Sequence, residues 1–329
     1  MGTAGFWRGR PVLVTGCTGL LGSWLSARLV ECGADVVGLI RDQVPGSHLA
    51  RSGTDRRISQ VRGSVTSFRT VERVLHEYEV DTCFHLAAQT IVTIANRSPL
   101  STFESNIKGT WTLLEAARRA PTLTRLVVAS SDKAYGASAQ LPYTEQAPLL
   151  GRHPYDVSKT CADLLAQSYA RTYGLPLSIT RCGNLYGGGD LNFNRVVPGT
   201  VRSILLDEDP VIRSDGSPIR DYLYVEDAVE ALLLLAERLP EEGVRGEAFN
   251  FSAESPLSVR DVVERVIAVS GRTHLRPRVV GRSIPEGEIL HQYLSAAKAQ
   301  RALGWKAGWG MEEALAKTIA WYEAYLAAR

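Results

Sequence analysis

Tyr155-Asp156-Val157-Ser158-Lys159 sets a phenol and an ammonium four residues apart, the one Y-x-x-x-K in the chain. Pro154 stands just before it, where proline starts helices, and on a helix residues four apart share a face. A cation beside a phenol stabilises phenolate and lowers the tyrosine pKa, giving a base able to deprotonate an alcohol. The alternative is a surface contact one helical turn apart. A second cluster, Ser130-Ser131-Asp132-Lys133, puts hydroxyls, an acid and an amine side by side, with a solvated ion pair capping a strand as its alternative. Of 37 basic residues only six are lysine, so arginine is the default cation. Lys133 and Lys159 are two of those six, at positions where only a titratable cation serves.

A third group is built to hold a ligand. Gly16-Cys17-Thr18-Gly19-Leu20-Leu21-Gly22 follows the short β-rich run Val12-Leu13-Val14 and opens a helical pattern. Glycines there allow a tight turn and close backbone approach, so a dinucleotide pyrophosphate can sit on the N–H groups of the helix start, contacting Gly16, Thr18, Gly19, Leu20, Leu21 and Gly22. A dinucleotide-binding unit of this kind usually carries an acid at the end of its second strand for the adenosine ribose. Ile40 occupies that place, followed by Arg41 and Asp42. Arg41 suits a 2′-phosphate unless it is a solvated loop residue, and Asp42 suits ribose hydroxyls one or two residues late, so NAD and NADP both stay open.

These groups need elements to position them. At 329 residues, with 45% hydrophobic and 22% charged, the chain reads as two domains or one large α/β unit with a cap. Val12–Thr15, Val36–Ile40, Thr82–Leu86, Leu126–Ala129 and Leu177–Thr180 read as buried strands. Helical patterns near Leu20–Cys32, Ser67–Tyr78, Ser101–Arg119 and Tyr155–Tyr173 lie between them. This alternation implies a doubly wound α/β fold with a parallel sheet buried on both faces. After Tyr186 a loop-rich region begins, marked by Gly187, Gly188, Gly189, Pro198, Pro210, Gly216 and Pro218. A helix at Val225–Arg238, a strand at Ala248–Phe251 and a helix at Ser258–Val269 follow; Pro277, Gly281, Pro285 and Gly287 then mark another irregular stretch before a helix near Met311–Ala328. The domains expected are residues 1–186 plus 222–250 for the cofactor and a smaller discontinuous lobe, 187–221 plus 251–329, over the carboxyl edge of the sheet, where ligands of such sheets bind.

Composition removes several classes. Lys+Arg 37 against Asp+Glu 35 leaves +2, no bulk case for nucleic acid or an anionic membrane. Five scattered cysteines with no C-x-x-C, and six dispersed histidines with no H-E-x-x-H, point to reduced thiols in a cytoplasmic protein and to no metal. Arg8 and Arg10 before the uncharged run Pro11–Ala27 imitate a signal peptide, but four hydroxyl residues and three glycines make that run too polar. No apolar run is long enough to span a membrane.

Five ordered motifs resemble the extended short-chain dehydrogenase/reductases: Thr15-Gly16-x-x-Gly19-x-x-Gly22, His85-Leu86-Ala87-Ala88-Gln89, Asn106-Ile107-Lys108-Gly109-Thr110, Tyr155-x-x-x-Lys159 and Arg220-Asp221-Tyr222-Leu223-Tyr224-Val225-Glu226-Asp227. The likeness spans nearly the whole chain. It implies a Rossmann domain, a nicotinamide cofactor kept and regenerated each turnover, and a nucleoside-diphosphate hexose as substrate. Leu86, Ala87, Ala88 and Asn106 would join Tyr155 and Lys159 at the cofactor; Asn184 and Arg220 would bind sugar and diphosphate, with Gln89 and Tyr135 lining the sugar pocket. Asp132-Lys133 resembles the 4,6-dehydratases, and among them those acting on CDP-glucose, as do Gly183-Asn184, Gly187-Gly188-Gly189-Asp190 and Gln292-Tyr293-Leu294 with Ala297-Lys298-Ala299. Ser131 departs from the usual threonine. Elimination needs Tyr155 as base at carbon 4, a neutral Lys133 at carbon 5 and a protonated Asp132 at carbon 6. A 4-epimerase needs only Ser131, Tyr155 and Lys159, and a silent cofactor-sensing scaffold needs none of them intact. The family usually forms homodimers through two helices per subunit, here Ser101–Arg119 and Tyr155–Tyr173. Leu113, Leu114, Leu164 and Leu165 suit either that interface or the core.

Overall fold

Short β-branched runs fold into strands because their side chains alternate between two buried faces. In chain order these are β1 (Pro11–Thr15), β2 (Asp35–Ile40), β3 (Ser59–Arg62), β4 (Thr82–His85), β5 (Arg125–Ala129) and β6 (Leu177–Cys182). Then come β7 (Asn184–Tyr186), β8 (Val211–Ile212), β9 (Ile219–Tyr224), β10 (Ala248–Phe251), β11 (Pro256–Ser258), β12 (Arg278–Val279) and β13 (His291–Gln292). This is a computed structural model that describes residues 4–281 and 289–328; Pro285 and Gly287, expected in an irregular stretch, lie outside the described residues.

The large sheet is parallel throughout, in the order β3-β2-β1-β4-β5-β6-β10. Strand order reverses between β1 and β4, so the crevice above their carboxyl ends is the place such folds reserve for ligands. Val12, Val14, Phe84, Val127 and Phe249 pack one face against helices Leu20–Glu31 and Val225–Arg238. Leu13, Val37, Cys83, Leu126, Val128 and Ile179 pack the other against Phe68–Glu77, Gly109–Arg119 and Pro154–Tyr173. Leu113 and Leu114 belong to this second core at 0% exposure and Leu165 packs on it, whereas Leu164 is 51% exposed.

A second sheet joins β11, β9 and β13, with β7 paired to β9. Strand β7 and residues 222–224 of β9 therefore pair in this second sheet, although the sequence boundaries group them with the cofactor domain. Its own core gathers Tyr186, Val201, Tyr222, Val262, Val266, Leu315 and Tyr322. The stretch after Tyr186 is less irregular than its sequence suggests, because it holds the helix Val196–Leu205. Pro198 and Gly199 disguise that helix. Pro198 falls in its first turn, where the missing N–H has no partner to lose. The expected Ser101–Arg119 helix starts earlier, at Pro99, and is interrupted by a π-helical turn at Glu104–Lys108 that carries Asn106.

Candidate active site

The glycine-rich loop is folded to a geometry that tolerates no larger residue at two points. Gly16 has φ +74°, and a Cβ there would lie 2.8 Å from the Ala87 nitrogen; at Gly22 a Cβ would meet the Gly16 carbonyl oxygen at 2.2 Å. Gly19 is the extended N-cap of the Leu20–Glu31 helix, so its first N–H groups face the loop. The loop opens into a cleft of about 1100 Å³. Gly16, Thr18, Gly19, Leu20, Leu21 and Gly22 line one end, with Arg41 and Asp42 from the tip of β2 and Leu86, Ala87 and Ala88 from the tip of β4. A cradle that any Cβ would fill, at a helix N-terminus, fits a dinucleotide pyrophosphate. Arg41 Nε donates to Asp42 Oδ2 at 2.6 Å, both side chains being 66% exposed.

Beneath the loop, His85 locks β1 to the neighbouring helices. The Thr110 hydroxyl donates to the Asn106 carbonyl oxygen (2.6 Å), so it accepts from His85 Nε2 (3.1 Å). His85 Nδ1 then accepts from Thr15 Oγ1 at 2.9 Å, and that oxygen accepts from the Leu86 and Ala87 nitrogens, both at 3.2 Å. The arrangement requires a neutral imidazole. Burial, aided by the Lys159 charge, pushes its pKa down to about 3. Because the folded value lies below the unfolded value near 6.5, stability from this group is complete above about pH 6.5 and is lost as pH falls toward 3. Urea unfolding from pH 7 to 4 should show a steeper loss for the wild type than for His85→Gln; equal slopes would remove His85 from the acid transition.

At the other end of the cleft stand the residues expected to carry the reaction. Tyr155 occupies the first turn of the Pro154–Tyr173 helix, and one turn on Lys159 Nζ donates to the Ala129 carbonyl oxygen at the tip of β5 (2.9 Å). A buried ion pair fixes this helix: Arg181 of β6 binds both oxygens of Asp163, each at 2.8 Å. Burial lowers Lys159 to about 8, against the pull of Asp163. Burial also raises Tyr155 to about 12, while Arg195 and the Ser131 hydroxyl oppose the rise and Asp132 and Asp156 add to it. Ser131 Oγ donates to Asp132 Oδ1 (2.9 Å) and accepts from the Lys133 nitrogen (3.2 Å), capping a short turn, Asp132–Tyr135. Asp132 is 2% exposed, and its Oδ2 has no hydrogen-bond partner among the described residues. Burial raises its pKa, with the Lys133 and Arg220 charges in opposition. Lys133, half-buried, donates from Nζ to Gln292 Oε1. Ser131, Asp132, Lys133, Tyr155, Lys159 and Asn184 all line this one cleft.

Four expected contacts lie elsewhere. Tyr135 is 1% exposed, stacked on Tyr143 with centroids 4.9 Å apart, and its hydroxyl donates to Asn250 Oδ1 (2.7 Å), so it faces the β10 side of the core and not the cleft. Gln89 turns its amide onto its own loop, donating to the Ile91 carbonyl and Thr102 Oγ1 at 3.1 Å each. Asn106 is buried below the cleft: its Oδ1 accepts from the Gln89 nitrogen (2.7 Å), and its Nδ2 donates to Ser158 Oγ (2.9 Å), whose hydroxyl donates to the Tyr155 carbonyl (2.6 Å). It braces the Tyr155 turn and is not among the cleft-lining residues. Arg220 is 4% exposed in β9, donating to the Ile219 and Leu290 carbonyls, and is not among the cleft-lining residues although its charge acts on Asp132.

Sequence reading also missed Arg195. This residue occupies the N-cap position of the Val196–Leu205 helix, lines the cleft, and pairs with Asp190 at 3.0 Å. With the helix disguised, nothing local marked its arginine. Among the described residues no group of three or more His, Cys, Asp or Glu is arranged for a metal, and no helix is long and apolar enough to cross a membrane.

This chain is similar over residues 13–318 to the family described as GDP-mannose 4,6 dehydratase. It is 31% identical to the CDP-glucose 4,6-dehydratase of Salmonella typhimurium, across 98% of this chain and 92% of that protein. The dTDP-glucose 4,6-dehydratase from Streptomyces venezuelae, solved with NAD bound, superposes with a TM-score of 0.84 at 28% identity, covering 95% of this chain and 97% of that one. The UDP-glucose 4-epimerase of Thermotoga maritima, solved with UDP-glucose, gives 0.85 at 27% identity, covering 96% and 99%.

Proposed function

The chain belongs to the GDP-mannose 4,6 dehydratase family, and from that premise we propose that it is a nucleoside-diphosphate-hexose 4,6-dehydratase of the CDP-glucose kind, using NAD. One observation carries the reaction: a buried acid, Asp132, and an amine, Lys133, share a cleft wall with Tyr155. NAD, which the loop from Gly16 to Gly22, Asp42 and Leu86 to Ala88 would hold, would supply a hydride acceptor for carbon 4, a hydride donor for carbon 6 and, in its oxidised form, a positive charge. Tyr155 takes the proton from the oxygen on carbon 4, with Lys159 favouring the phenolate and Ser131 holding the same oxygen. The ketone formed acidifies the hydrogen on carbon 5. Lys133 removes it, and Asp132 protonates the hydroxyl leaving carbon 6 as water. The proton held on Lys133 returns to carbon 5, and the proton gained by Tyr155 is passed to solvent while Asp132 regains one from solvent, so the net change is loss of one water and a 4-keto-6-deoxy sugar.

Asn184 and Arg195, both on the cleft wall, suit the sugar and diphosphate, arginine because its planar fork binds phosphate in a bidentate manner. Asp42 suits the adenosine ribose, with Arg41 neutralised beside it. Trp111 at 46%, Leu164 at 51% and Tyr173 at 56% exposure lie on the Gly109–Arg119 and Pro154–Tyr173 helices, which supports a homodimer through these helices.

The 4-epimerase reading keeps one specific support, that Ser131, Tyr155 and Lys159 suffice for inversion at carbon 4. Mass spectrometry of reactions with CDP-, UDP-, dTDP- and GDP-hexoses separates the readings. Loss of one water from the CDP-hexose is expected; conserved mass with an altered sugar would favour inversion.

A further inference from the structure

Gln292 is 0% exposed on the two-residue strand β13, whose neighbour in register is Arg220 of β9. Its amide is used at both ends. Oε1 accepts from Lys133 Nζ, and Nε2 donates to the Asp132 carbonyl oxygen at 3.0 Å. Only one orientation satisfies both, since an ammonium cannot accept and a carbonyl cannot donate. The chain just after the strand is held to Tyr143, whose nitrogen donates to the Tyr293 carbonyl (3.0 Å) and whose carbonyl accepts from the Ser295 nitrogen (2.9 Å), and Tyr143 in turn stacks on Tyr135 at the end of the Asp132–Tyr135 turn. A residue of the smaller sheet thus grips the turn that carries the acid and the amine.

We infer that Gln292 is a positioning residue, which directs the Lys133 amine on the cleft wall through a neutral acceptor that itself adds no charge favouring the ammonium. The inference rests on the dehydratase reading for its catalytic meaning, and deepens it. A lysine needs an acceptor to hold its direction. A carboxylate would supply one, but would also favour the ammonium, which has no lone pair for carbon 5. An amide oxygen holds the head group in either protonation state without adding charge. Among the described residues, the ionisable groups around this turn include Asp132 within it, Tyr143 and Cys182 beside it, Tyr155, Asp156 and Lys159 on the helix packed against it, Arg220 and Asp221 on β9, and Arg195. A Gln292→Glu variant adds charge at nearly constant shape but also exchanges the Nε2 donor to the Asp132 carbonyl for an oxygen, so Gln292→Leu, which loses that donor and the acceptor without gaining charge, is its control.

The test is competitive acylation of the holoenzyme by a small anhydride across pH 6 to 11, with the Lys133 peptide read by mass spectrometry, alongside steady-state turnover. In Gln292→Glu the midpoint of Lys133 labelling should rise by about one pH unit or more, the acidic limb of kcat should move by the same amount, and turnover at pH 7 should fall about tenfold. Reduction of bound NAD on mixing with substrate, which reports oxidation at carbon 4, should keep its wild-type rate. Gln292→Leu, which removes the acceptor without adding charge, should lower water loss at every pH while leaving NAD reduction intact. An unmoved Lys133 midpoint in the glutamate variant, or full turnover in the leucine variant, overturns the inference. Labelling proceeds without catalysis, so a shifted midpoint in a protein that eliminates no water would sustain the contact and sink the dehydratase reading instead.

Discussion

Tyr155→Phe should bind NAD with wild-type affinity and lose turnover by about 10³-fold, in the range general base catalysis supplies. The phenyl ring fills the same space in the first helical turn, and the brace below it, Asn106 to Ser158 to the Tyr155 carbonyl, uses only main chain at this residue. What disappears is the one oxygen able to take the proton from carbon 4. Since every later step needs the ketone, NAD reduction and water loss should fall together. Burial holds the phenol at about 12 before ligands bind, so the charges that lower it act in the complex. Raising pH toward 9 should therefore increase the rate of NAD reduction in the wild type, and leave the phenylalanine variant flat. Substantial NAD reduction by Tyr155→Phe, seen at 340 nm in a stopped-flow mix of roughly equimolar enzyme and substrate, would move the base to another residue.

The half of the molecule that holds this helix was legible because its chemistry and its periodicity coincide. A loop such as Gly16 to Gly22 has to follow a strand and open a helix, and both neighbours announce themselves, Val12-Leu13-Val14 by branching and Leu20–Glu31 by spacing. The place of Asp132 and Lys133 on the cleft wall was legible for a similar reason, since both stand just past a strand whose carboxyl end faces the cleft. Tyr135, three residues further, was not. A turn of only a few residues reverses side-chain direction, so nearness in sequence to a reacting group says little about which way a ring points. Gln89 failed in the same way, its amide folding back to close the loop after β4. Arg220 shows a third limit. Its motif fixes its type, but its burial depends on β13 arriving from 70 residues away. Arg195 was hidden by local grammar, since a helix beginning Val196-Val197-Pro198-Gly199 reads as a turn until the rest of the smaller core is packed on it.

Lys133→Ala should keep NAD binding and keep oxidation at carbon 4, yet lose water loss by about 10² to 10⁴-fold. On mixing with the hexose substrate, reduced NAD should accumulate, because the ketone forms and then waits. In deuterium oxide the wild type should place deuterium at carbon 5 of its product, delivered by the exchanged amine, while the variant should place almost none. Added methylamine should restore part of the rate, with a dependence on the concentration of the unprotonated amine, since the deletion leaves room beside Gln292 Oε1 where Lys133 Nζ normally sits. These readouts separate base from scaffold. A lysine that merely supported Asp132 through its charge would, on removal, ease the burial-driven rise of the Asp132 pKa further upward and keep that acid protonated. Carbon 5 exchange would then survive. Unchanged turnover together with unchanged deuterium incorporation would strike Lys133 from the reaction, leaving Ser131, Tyr155 and Lys159 as the working set, and that set is complete for inversion at carbon 4.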